Sequence, residues 1–194
     1  IMTTRRDFLK TMTMASAGLA LGAGDILANP TFGSQGKITD KVKIAYVGIG
    51  NRGEQIIGDF ARTGMVEVVA LCDVDMGAPH TQKVMNLYPK AKRFRDFRQM
   101  FDKAGNEFDA VAIATPDHSH FPISMLALAS GKHVYVEKPL ARTFYEGELL
   151  MQAALKRPNL LTQVGNQGHS EANYFQFKAW MDAGIIKDVT AVTA

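Results

Sequence analysis

Gly48, Gly50 and Gly53 stand at the spacing G-x-G-x-x-G, directly after the apolar run 42–47 and directly before a helical pattern. Strand, glycine turn and helix in that order make a seat for a pyrophosphate. The first glycine permits the tight turn, the second lets the backbone approach the phosphates, and the third packs helix against strand. The helix N-terminus adds unpaired N–H groups and the positive end of its dipole. A second apolar run, 65–75, carries Asp73 twenty residues beyond Gly53, where a carboxylate can accept hydrogen bonds from an adenosine ribose. The pattern predicts a dinucleotide held by Gly48, Ile49, Gly50, Asn51, Arg52 and Gly53, with Asp73 on the ribose. A carboxylate there repels a 2′-phosphate, so NAD is expected over NADP. Arg52, whose guanidinium could offset part of that charge, leaves NADP open.

These residues need a scaffold, and the rest of the chain supplies its pattern. Helical segments are expected at 54–62, 81–88, 97–103, 118–130, 145–156 and 172–183, the last closing on Gly184. Between them lie apolar runs at 66–72, 109–115, 133–138 and 160–165 and a short strand at Arg93 and Phe94. None shows the sustained alternation of a half-exposed sheet. Strands apolar on both faces and separated by helices predict a doubly wound parallel α/β sheet, a Rossmann fold over 41–185, ordered 3-2-1-4-5-6. Residues 187–194 read as one more strand, so 186–194 is expected to begin a second α/β domain that is truncated here.

Composition bounds the alternatives. With 194 residues, 46% of them hydrophobic and 21% charged, the chain can build one domain with a real core and little more. The net charge of +3 sits in short basic patches, Arg5, Arg6 and Lys10 and the run 90–98. Without aromatic residues interleaved as stacking platforms, these predict solvated faces and no nucleic-acid site. The five histidines do not group with carboxylates or a thiol at ligand spacing, so no metal is expected. Cys72, the only cysteine, falls at the end of a buried strand and reads as a core residue.

The segment 1–28 is of another kind. Ile1 precedes Met2, where translation is expected to begin. Thr4, Arg5, Arg6, Phe8, Leu9 and Lys10 then match S/T-R-R-x-F-L-K ahead of a short stretch rich in Ala, Gly, Leu and Met. This resembles a twin-arginine signal, implying the twin-arginine export machinery as a partner and a periplasmic or membrane-anchored destination. Cleavage is expected after Ala28, with 29–40 as a linker.

Three further stretches, ATPDHSH from Ala114, GKHVYVEKPLA from Gly131 and TQVGNQGH from Thr162, join GIGNRG and CDVD in a fixed order. Together they resemble the N-terminal half of the Gfo/Idh/MocA oxidoreductases, from about Lys41 onward. The resemblance implies an NAD- or NADP-holding Rossmann domain followed by an open-sheet domain that covers the nicotinamide, shapes the substrate pocket and carries self-association. It implies that Thr115, Pro116 and His120 line the cofactor cleft, with His118 and His133 weaker candidates. It also puts Glu137 and Lys138 beside nicotinamide and substrate. Removing hydride from a carbinol carbon leaves a developing carbonyl, for which Lys138 can serve as proton acceptor or cation. Asn166 and Gln167 either hydrogen-bond a carboxamide or substrate or simply hold their loop. The family's further acid/base residue belongs to the second domain. The expected activity is oxidation of a sugar or sugar derivative. A glycoside hydrolase working by transient oxidation, elimination and re-reduction, or a binding module without turnover, are the alternatives.

Overall fold

The computed structural model describes residues 41–169 and 171–192. The expected signal segment 1–28 and linker 29–40 lie outside the described residues. Six parallel strands, β1 (Val42–Val47), β2 (Val66–Cys72), β3 (Lys92–Phe94), β4 (Ala110–Ile113), β5 (His133–Val136) and β6 (Thr162–Val164), form one sheet ordered β3-β2-β1-β4-β5-β6. Six helices connect and flank them: α1 (Arg52–Arg62), α2 (Pro79–Leu87), α3 (Phe97–Ala104), α4 (His120–Ala129), α5 (Phe144–Leu155) and α6 (Ala172–Asp182). The predicted strand order and doubly wound architecture are both present.

The two-faced burial of the central strands explains their unbroken apolar runs. Along β1, Ala45 and Val47 point into a core shared with Met100, Val111, Ile113 and Ile123, while Ile44 and Tyr46 point into an opposite core with Ile56, Ile57, Leu71 and Val84. Successive side chains of a strand face opposite ways, so a strand covered on both sides must be apolar at every position. Helix α1 contributes Ile56 and Ile57, each 2% exposed, and burying two such side chains stabilises the helix on the sheet by roughly 1.5–3 kcal/mol apiece.

Differences from the sequence reading fall at element ends. The predicted helix at 118–130 divides into a 3-10 turn, Asp117–Ser119, and α4. Helix α2 begins at Pro79, two residues early, because proline at the first helical position lacks only an N–H that would be unpaired anyway. Residues 187–192 form no strand. A strand is held by its ladder, and no described strand lies alongside them to provide one. Helix α6 buries none of its residues, leaving Phe175, Phe177 and Trp180 exposed.

Candidate functional site

The strands' C-terminal ends meet in a crevice, and main-chain hydrogen bonds fix the loops that line it. Gly48 N–H donates to Cys72 O at 2.8 Å, Ala114 N–H to Val47 O at 2.8 Å and Glu137 N–H to Ile113 O at 2.9 Å. In the glycine turn, Gly48 has φ +80°, and a Cβ there would press on the Ala114 carbonyl oxygen. A Cβ on Gly53 would overlap the Gly48 carbonyl oxygen. Both glycines are therefore required by how the turn folds on β4 and on itself. Asn51 completes the turn at φ 46° and ψ −103°, close to the first central position of a type II′ turn, a conformation that glycine adopts most readily.

Asp73 ties this turn to β2. Its Oδ2 accepts from Ile49 N–H at 3.0 Å and its Oδ1 from Asp75 N–H at 2.9 Å, leaving the half-buried carboxylate fixed at the cleft wall with lone pairs to spare. The cleft holds about 660 Å³, and Gly48, Gly50, Asn51, Asp73, Thr115 and Pro116 all line it. Thr115 Oγ1 is buried there with no hydrogen-bond partner among the described residues. Buried hydroxyls are normally satisfied, so this one fits a ligand group. A glycine cradle on a helix N-terminus, a fixed carboxylate and an orphaned hydroxyl together suit a dinucleotide.

Sequence reasoning missed part of the wall. Val74, 80% exposed, offers an apolar shelf next to Asp73, and His80, Arg95 and Arg98 also line the cleft. Pro79 was the available signal for His80, since a helix starting there places residue 80 in its first turn. Arg95 and Arg98 follow β3, whose C-terminal end opens on the same crevice. Cys72 also borders the cleft, but burial and then the nearby Asp73 and Asp96 carboxylates push its thiol up to about 12, so it stays protonated and is no nucleophile.

Four expected ligands make their contacts within the protein. His120 is 1% exposed, with Nδ1 2.6 Å from Pro139 O and Nε2 2.8 Å from Thr115 O. Each ring nitrogen faces a main-chain carbonyl oxygen, and the one that carries the proton donates to its carbonyl, so the side chain bridges the ends of β4 and β5 and has no nitrogen free for a cofactor. Arg52 does not face Asp73, because its Nη2 pairs with Glu137 Oε1 at 3.0 Å. Glu137 is itself buried at 4% exposure, and Tyr135 also donates to it at 3.2 Å. Burial works against the Arg52 charge, but the hydrogen bond and charge of Glu137 outweigh it and hold the guanidinium above its ordinary range. The Gln167 amide completes this group. With its oxygen toward Arg52 it accepts from Nε at 3.1 Å and Nη2 at 3.3 Å. The opposite orientation would donate to Glu137 Oε2 at 3.4 Å but would set a nitrogen against the guanidinium, which can only donate. Gly165 leaves room for the group, since a Cβ there would meet Glu137 Oε1 at 2.5 Å and Tyr135 OH at 2.6 Å.

Lys138 follows Glu137 and is exposed at the end of β5, ahead of a cis peptide to Pro139. Among the described residues it makes no ion pair. Asn166 and Gln167 border a polar groove beside Arg52, and His133 Nδ1 accepts from Leu161 N–H at 2.9 Å, which makes it a sheet-edge tie. His118 lines the cleft.

Fold and site define a dinucleotide-binding α/β domain of the Rossmann type. The family is shown directly: residues 42–165 match the GFO_IDH_MocA family, described as an oxidoreductase family with an NAD-binding Rossmann fold. This chain belongs to it, and NAD is its cofactor. It is 30% identical over 147 residues to an inositol 2-dehydrogenase of Salmonella typhimurium, an alignment covering 75% of this chain and 43% of that protein. It is 29% identical over 176 residues to glycosyl hydrolase family 109 protein 2 of Shewanella sp. (strain ANA-3), covering 81% and 38%. Among solved structures, scyllo-inositol dehydrogenase from Lactobacillus casei with bound NAD(H) and scyllo-inositol superposes with a TM-score of 0.66 at 28% identity, covering 78% of this chain and 44% of that one. The chain thus spans less than half the length of these relatives.

Proposed function

We propose that this chain is the cofactor-binding half of an oxidoreductase that moves hydride between NAD and a carbinol carbon of a sugar or polyol, with Lys138 as the group facing the reacting oxygen. The observation that carries the reading is the placement of Lys138. It stands exposed and unpaired among the described residues at the C-terminal end of β5, next to a strand end fixed by Glu137, Arg52 and His120. A bound NAD supplies the hydride acceptor. Lys138 then takes the carbinol proton or, as a cation, stabilises the charge growing on that oxygen. Burial of Glu137 under Arg52 keeps the neighbouring carboxylate occupied, so Glu137 does not neutralise Lys138.

The similarity to a family 109 glycosyl hydrolase favours a second reading, in which the sugar is oxidised, loses its leaving group by elimination and is re-reduced, with no net consumption of NAD. The two readings share Lys138 and differ in balance. We further propose export by the twin-arginine machinery, suggested by residues 4–10, with NAD bound before translocation and retained through a closed redox cycle. Self-association through a following domain belongs to the same proposal.

The test uses the protein extended to the length of its relatives and purified without added cofactor. Bound nucleotide is measured first, then NADH formation with a panel of polyols and sugars, then release from aryl glycosides. Lys138→Met is expected to lower turnover by at least about a hundredfold, the contribution of a positioned acid/base group, with NAD affinity nearly unchanged. Turnover surviving that substitution would refute the role of Lys138. Aryl glycoside release without net NADH would select the second reading.

A further inference from the structure

Gly50 is the glycine whose missing side chain lets a pyrophosphate come close to the turn. In this fold the direction its Cβ would take is already filled by an imidazole. A Cβ on Gly50 would overlap His80 Cδ2 and lie 2.7 Å from Nε2, so the Cδ2–Nε2 edge of the ring rests directly on the turn. His80 arrives there because α2 starts at Pro79, which puts it in the first turn of a helix whose N-terminus opens on the cleft. His80 as a residue is exposed. A diphosphate seated on the amides of the glycine turn therefore meets this edge of His80 as its next neighbour.

We propose that His80 is a cofactor-contact residue, donating a hydrogen bond from Nε2 to a diphosphate oxygen of NAD across the seat formed by Gly48, Gly50 and Gly53. The inference rests on the family's NAD-binding assignment and adds a side chain that the glycine pattern does not contain. An imidazole can place a proton on either ring nitrogen, so the contact needs no particular charge state. It also explains the second glycine in a way specific to this chain: any side chain at position 50 would displace the His80 ring.

The test compares the full chain with His80→Ala and His80→Gln. NADH binding is followed by its fluorescence, ADP-ribose by competition, and adenosine, which lacks the diphosphate, by saturation-transfer NMR. His80→Ala is expected to weaken NADH and ADP-ribose by about tenfold, the size of one charge-assisted hydrogen bond, and to leave adenosine within about twofold. His80→Gln, which keeps a donor, is expected to recover most of the loss, with both variants melting at the parent temperature. Unchanged NADH affinity in His80→Ala would overturn the contact, and so would an equal loss for adenosine. If the parent chain binds adenosine but neither NADH nor ADP-ribose, the diphosphate seat itself is wrong and the His80 contact falls with it.

Discussion

Replacing Arg52 with methionine keeps most of the side-chain volume and removes the only ion-pair partner that Glu137 has among the described residues. The carboxylate is then left at 4% exposure with neutral donors alone, Tyr135 at 3.2 Å and a rotated Gln167 amide. Breaking a fully buried pair costs about 3–5 kcal/mol because one charge stays buried and uncompensated. The Arg52 side chain is 32% exposed, so water can partly replace it, and we expect about 2–3 kcal/mol. For a domain of this size that is a fall in Tm of about 5–10 °C. Glu137→Gln removes the charge instead and keeps an acceptor, for about 1 kcal/mol. The double variant should then be more stable than Arg52→Met alone, with a coupling of at least about 1 kcal/mol. Urea denaturation of the four proteins, followed by circular dichroism, measures this. An Arg52→Met variant within about 0.5 kcal/mol of the parent, or strictly additive effects, would refute the reasoning.

Asp73→Ser should narrow the preference for NAD over NADP by about tenfold, because a carboxylate that repels the 2′-phosphate and holds the glycine turn through Ile49 is lost. Tighter NADP binding by the unaltered chain would contradict the role given to Asp73, with Arg95 and Arg98 as the cations responsible. Cys72 makes a pH prediction. Its folded-state pKa is raised from 9.0 to about 12, so above pH 9 the unfolded chain loses a proton that the folded chain keeps. Stability contributed by this group is complete below pH 9 and is lost as pH rises toward 12, on the order of 4 kcal/mol in all. Cys72→Ala should therefore show a flatter decline between pH 9 and 11 in denaturation midpoints, and an unchanged slope would exclude the thiol as its source.

The sequence by itself determined the sheet. Runs such as 42–47 and 66–72 are apolar at almost every position because those strands are covered on both faces, and that pattern, with helices between, allows few arrangements besides 3-2-1-4-5-6. It also determined the glycine turn, since Gly48, Gly50, Gly53 and Asp73 belong to one βαβ unit whose parts are close along the chain. What it could not determine were contacts between residues far apart in sequence. Arg52 and Glu137 are separated by 85 positions and His120 and Pro139 by 19, and no periodicity records such pairs. Arg52 is expected as a ligand from its place beside the glycines and His120 from the family resemblance, because an arginine or histidine near a cofactor carries the same letters whether it touches the cofactor or a neighbouring strand end. Tertiary packing made the choice. Glu137 is buried at a strand end and needs a counter-charge, and the strand-end carbonyls of Thr115 and Pro139 need a donor between them. Arg52 and His120 meet those needs, which leaves the cleft to the glycine turn, Asp73, Thr115 and the side chains that only the fold brings to it.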